Sequence, residues 1–147
     1  FKKNKKIFSK FLGKILIGIV VILCLFSIGY RFAANYKYLP VILGTESKKE
    51  FLSKTLNFSF GDFYDTDSYF KNHIKSSDKV LLYGFHNLYY VDFPFIDASY
   101  IKKGNQFNYI AVQNYRLPSR FKFWNLIYSN NLTHVNLYSI GGQKWVY

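Results

Sequence analysis

The sequence is poor in sulfur and uneven in acid. A single cysteine, Cys24, excludes an internal disulfide framework and a Cys-rich zinc site. Methionine is absent, even from the first position, so the chain reads as a fragment or a processed product. No acidic residue precedes Glu46. Residues 1–37 carry Lys2, Lys3, Lys5, Lys6, Lys10, Lys14, Arg31 and Lys37, whereas all 8 acids lie beyond them with the other 12 basic residues. The formal charge of +12 therefore divides into +8 on the N-terminal arm and +4 on the rest. That is not the even spread expected of a nucleic-acid binder. With 50% hydrophobic and 22% aromatic residues in 147, the chain is also too apolar to be disordered, and its length suits one small domain.

Charge is missing altogether from Ile15 to Tyr30. Flanked by Phe11, Leu12 and Lys14 on one side and Phe32 to Ala34 on the other, this run reaches the roughly 20 residues that a membrane helix needs. The expected organisation is a basic cytoplasmic arm at 1–10, a transmembrane helix at 11–34, an extended linker at 35–44 and an extracytoplasmic domain at 45–147. The positive-inside rule sets this orientation, and Tyr30, Tyr36 and Tyr38 fall where amphipathic rings favour the interface. A cleaved secretory signal has the same outline, but Phe32-Ala33-Ala34 with Arg31 beside it makes a poor cleavage site. A buried core helix is the weaker reading, because no compact domain of this size hides a 16-residue run that is apolar on every face.

Beyond Gly44 the patterning becomes that of an α/β unit. The sequence predicts a helix from Thr45, capped by Thr45 or Ser47, with Phe51, Leu52 and Leu56 on its buried face. A second helix is expected over 62–77, capped near Asp65 or Asp67, with Tyr69, Phe70 and Ile74 inward. Lys79 to Gly84 reads as a strand buried on both faces, with further strands at 107–112 and 134–140. Phe121, Trp124, Ile127 and Tyr128 have helical spacing within 120–131. Residues 143–147 would close a hairpin after Gly141-Gly142. The alternation predicts an α/β fold with a mostly parallel sheet flanked by helices.

Few constellations suggest chemistry. His73, His86 and His134 lack metal-ligand spacing, and neither a Gly-x-Ser-x-Gly elbow nor a calcium loop nor a phosphate-binding glycine loop occurs. Asp65-Thr-Asp67 is better explained as a helix cap than as a metal-binding Asp-x-Asp motif. No metal or cofactor is expected. Lys102, Lys103, Arg116, Arg120 and Lys122 interleave with Phe107, Tyr109 and Tyr115, the residue mix of a nucleic-acid groove, yet basic residues beside an anionic membrane serve equally well. No nucleic-acid partner is expected. Asn57-Phe-Ser59 and Asn131-Leu-Thr133 are glycosylation sequons that would face outward. The segment Phe85 to Phe95 stands apart, since it follows a buried strand and gathers His86, Tyr89, Tyr90 and Asp92. These are the candidate ligand-binding residues, because α/β sheets place ligands at the carboxyl ends of parallel strands. A Tyr-rich crossover that merely packs on the sheet would have the same composition.

The stretch Leu39-Pro-Val-Ile-Leu-Gly-Thr-Glu-Ser-Lys-Lys-Glu-Phe-Leu52, then Asp78-Lys-Val-Leu-Leu-Tyr-Gly84 with Tyr-Tyr-Val-Asp92, then Trp124-Asn-Leu-Ile-Tyr-Ser-Asn130 and Thr133-His-Val-Asn-Leu-Tyr138, resembles the C-terminal end of GT-C type glycosyltransferases. These enzymes use polyprenyl-phosphate sugars and are related to the protein mannosyltransferases. The resemblance implies that the catalytic carboxylates belong to a loop far upstream, so no catalytic residue is assigned to any position here. It implies as partners the lipid bilayer, upstream membrane helices of a parent enzyme, and a lipid-linked sugar or glycan acceptor. The alternative is a self-contained, single-pass binding domain of the cell envelope.

Overall fold

The computed structural model describes residues 2–141 and 143–147, with side chains from residue 12 onward. Two compact units divide at Ser47 and Lys48.

The first unit is helical. Helix α1 runs from Lys2 to Asn35, followed by a 3-10 turn at Tyr36–Tyr38 and the short helix α2 at Leu39–Ile42. At about 1.5 Å per residue, α1 alone is roughly 50 Å long, more than the ~30 Å hydrocarbon core requires. From Leu12 to Ile42 the helical segment is long and apolar enough to cross a membrane, and none of its most apolar window is buried. Residues 36–42 are thus helical and not the extended linker expected. Pro40 falls in the first turn of α2, where its missing N–H costs no hydrogen bond and its fixed φ suits the helix. The Pro40 carbonyl then accepts the N–H groups of Thr45 and Glu46 and the Thr45 hydroxyl, and Gly44 turns the chain at φ +72°. Thr45 therefore closes this turn and does not open the next helix.

The second unit is a mixed α/β domain. Helix α3 spans Lys48–Thr55 with Leu52 buried, and α4 is confined to Tyr69–His73. The strands are β1 (Val80–Tyr83), β2 (Phe95–Asp97), β3 (Gln106–Phe107), β4 (Tyr109–Gln113), β5 (Asn125–Asn130), β6 (Val135–Ser139) and β7 (Trp145–Val146). Five of them form one sheet in the order β2-β1-β4-β6-β5. β1 is parallel to both β2 and β4, while β6 is antiparallel to β4 and β5. The sheet is mixed, which corrects the expectation of a mostly parallel one. The cause lies in residues 120–131. Phe121 and Trp124 cover one sheet face from a 3-10 turn at Ser119–Phe121, and the chain then pairs along β6 through a tight turn instead of continuing as a helix. In that turn the Asn130 Oδ1 accepts the N–H groups of Leu132 and Thr133. Local helical spacing was overridden by strand pairing that satisfies the backbone.

Alternation along β1 explains its burial. Val80 and Leu82 enter one core with Phe63, Phe70, Ile74, Phe85, Phe93, Ala111, Val135 and Leu137. Leu81 enters the other with Phe107, Ile110, Val112, Phe121 and Trp124. The helix expected over 62–77 shrinks to α4 because Phe63 is needed in the first core and the preceding carboxylates terminate the helix. Asp67 Oδ1 accepts the Tyr69 N–H (3.2 Å) and Asp65 Oδ2 accepts that of Lys71 (2.9 Å). Strand β7 pairs antiparallel with β3 and does not form a hairpin with β6. Trp145 lies against Phe121 and Trp124, and the Arg120 guanidinium donates to the hydroxyls of Tyr147 (2.6 Å) and Tyr83 (2.7 Å), holding the end of the chain on the second face.

Candidate functional site

β1 and β4 end side by side, and the chain leaves β1 through Gly84 at φ +79°. A Cβ there would lie 2.1 Å from the Gln113 carbonyl oxygen, so glycine is required both by φ and by the close approach. Gln113 is fully buried and its amide nitrogen donates to the carbonyls of Asp62 (2.7 Å) and Thr133 (2.9 Å), joining three segments below the strand ends. The loop after Gly84 inserts Phe85 into the core and is fixed by its His86 N–H on the Gly61 carbonyl (3.0 Å).

The four residues singled out from sequence all sit on this loop but have different surroundings. The exposed His86 ring lies 5.4 Å from Phe60. Tyr89 is 83% exposed, and its ring meets Tyr90 edge-on at 4.9 Å. Tyr90 in turn meets Tyr64 edge-on, with the Lys48 ammonium 5.8 Å from its ring centre. Asp92 lines a separate cavity of about 350 Å³ with Lys71, Ile74, Ser76, Phe93 and Pro94. The structure brings Tyr89 and Tyr90 together into one aromatic surface, with His86 near the start of the loop and Asp92 towards the other carboxylates.

Those carboxylates form a network that the sequence did not disclose. Burial pushes the Asp65 carboxyl above its ordinary range, the Lys71 and Phe70 N–H groups oppose this, and the charges of Asp67 and Asp92 add to it. Its Oδ1 is buried without a hydrogen-bond partner. Tyr128 donates its hydroxyl to Asp67 (2.8 Å) and accepts from the Asn130 amide (2.9 Å), while its ring stacks on Tyr69 at 4.0 Å. Burial, then the Asp67 carboxylate, raises the phenol well above its ordinary value, against the opposing Asn130 bond. Among the described residues no group of three His, Cys, Asp or Glu side chains is placed to hold a metal ion.

A second feature missed from sequence is a polar cavity of about 400 Å³ at the same end of the sheet. It is lined by Asn114, Tyr115 and Arg116 after β4, by Ser129, Asn130 and Asn131 at the end of β5, and by His134 and Asn136 at the start of β6. Asn114 and His134 both have positive φ, at 52° and 55°. The signal was present as the Gln113-Asn-Tyr-Arg116 and Ser129-Asn-Asn131 runs, but only the β4–β6 pairing shows that they meet. Comparison with family models, with curated proteins and with solved structures finds no match for this chain.

Proposed function

We propose that this chain is the terminal membrane helix and extracytoplasmic α/β domain of a polyprenyl-phosphate-sugar-dependent glycosyltransferase, without the catalytic region and inactive alone. The observation that carries the reading is the direct succession of a membrane-length apolar helix and a folded α/β domain that offers exposed aromatic rings at a strand end. In this reading Lys2 to Lys10 stay in the cytoplasm, and the helix faces lipid and the upstream helices of the parent enzyme. The domain lies outside, where Tyr89 and Tyr90 pack on a glycan acceptor or lipid-linked sugar, with His86 and Asp92 at the margins of that contact. Pyranose rings stack on such aromatic faces through apolar C–H surfaces, and phenol hydroxyls reach sugar hydroxyls.

The test is sugar transfer from a labelled polyprenyl-phosphate donor in membranes. Deleting residues 45–147 from the parent should abolish or strongly lower transfer, and Tyr89→Ala with Tyr90→Ala should raise KM for the acceptor. Full transfer after the deletion would overturn the proposal.

A further inference from the structure

We infer that the cavity between the end of β4 and the β5–β6 turn binds a small acidic sugar, one that carries a carboxylate or a phosphate. The inference rests on the cavity's own chemistry and stands apart from the transferase reading. Its volume of about 400 Å³ falls within the ~300–1,000 Å³ range of small-molecule sites.

Two kinds of residue line it. The first kind is already committed to the fold. Asn114 donates its amide to the Phe58 and Ser59 carbonyls and its backbone N–H to His134. Asn130 donates to Thr66 and Tyr128 and accepts two backbone N–H groups of the turn. These bonds hold the wall in place before any ligand arrives, which lowers the cost of binding.

The second kind is uncommitted. Among the described residues the side chains of Arg116, Asn131 and His134 make no hydrogen bond, ion pair or ring contact, although all three line the cavity. Asn136 uses only its carbonyl oxygen, which accepts from Ser129 (2.7 Å), leaving its NH₂ group. Planar amides both donate and accept, so Asn131 and Asn136 suit vicinal hydroxyls, and Tyr115, stacked parallel to Tyr83, supplies a flat wall for a pyranose C–H face.

Arg116 specifies the charge. No acid lines the cavity, so its guanidinium is not neutralised there, and it can take a carboxylate or phosphate bidentately. One cation is too few for a nucleic-acid strand, whose affinity comes from neutralising many phosphates. A hydroxyl-rich monoanion matches the lining.

The full chain, in nanodiscs of uncharged phosphatidylcholine, would be titrated calorimetrically with glucuronate, glucose 1-phosphate, glucose and inorganic phosphate. At least one acidic sugar should bind tenfold or more tightly than both glucose and phosphate, and the better of the two identifies the anion. Arg116→Gln should reduce its affinity at least tenfold, to the level of glucose, and Asn131→Ala should weaken it several-fold. Both residues are exposed, so unchanged thermal unfolding will show that the variants remain folded. Absence of binding by both acidic sugars at millimolar concentration, equal affinity for glucose, equal affinity for phosphate, or an unaffected Arg116→Gln variant would each overturn the inference.

Discussion

Replacing Gly84 by alanine tests how the strand ends are held together. Two penalties apply at this position. Alanine at φ +79° costs about 1–2 kcal/mol from the left-handed backbone alone. The new Cβ would also lie 2.1 Å from the Gln113 carbonyl oxygen, where ordinary contacts begin at 3.4 Å. The obstacle is backbone, not the tip of a flexible side chain, so β1 and β4 must separate where Tyr83 pairs with Val112. Overpacking of this kind costs about 1–3 kcal/mol, which makes the total about 2–5 kcal/mol. Gly104 supplies the control, since it has φ +90° but open space around its Cβ position, so Gly104→Ala should cost only about 1–2 kcal/mol. Urea unfolding of the full chain in detergent micelles, followed by tryptophan fluorescence, reads the domain alone, because Trp124 and Trp145 are the only tryptophans. Equal destabilisation of the two variants, within ~0.5 kcal/mol, would refute the close-approach reasoning, as surface changes scatter by about that much.

Three further outcomes concern the same domain. Asp65→Asn should stabilise the domain at neutral pH: a carboxyl whose folded pKa is raised above 3.8 destabilises the fold while ionised, and that penalty is relieved as pH falls through the folded value. Melting temperatures measured across the acid range should therefore rise less on acidification in the variant than in the wild type. Gln113→Glu places a buried charge where the amide now donates to two carbonyls, and it should cost several kcal/mol in the same urea assay. Arg120→Ala removes the bonds to Tyr83 and Tyr147, and should cost about 1 kcal/mol while increasing hydrogen exchange at residues 145–147.

The parts of the fold readable in sequence were those with one buried run and one outcome. Val80 to Leu82, left through Gly84, formed the strand covered on both faces that was expected, and so did Val135 to Ser139, with alternate residues buried. Residues 120–131 have helical spacing yet form a turn and a strand, for a physical reason. Phe121 and Trp124 bury their rings from a single turn, and a helix and a turn followed by a strand both satisfy that spacing. The partner of Trp145 was a long-range matter, settled by Phe107 on β3 and by the ring stack around Phe121 rather than by the adjacent glycines. The same distinction holds for the candidate sites. The His86 to Asp92 loop was visible because it directly follows β1, whereas Arg116 and Asn131 become neighbours of one cavity only when β4 and β5 flank β6.

We propose that this helix and domain belong to a larger multi-span enzyme. The native membrane-extracted product is detected with an antibody against residues 45–147 and its size is compared with the 17.4 kDa of this chain. A band several times larger, extracted only by detergent, is expected. A band at 17.4 kDa would contradict the proposal and leave a single-pass envelope protein.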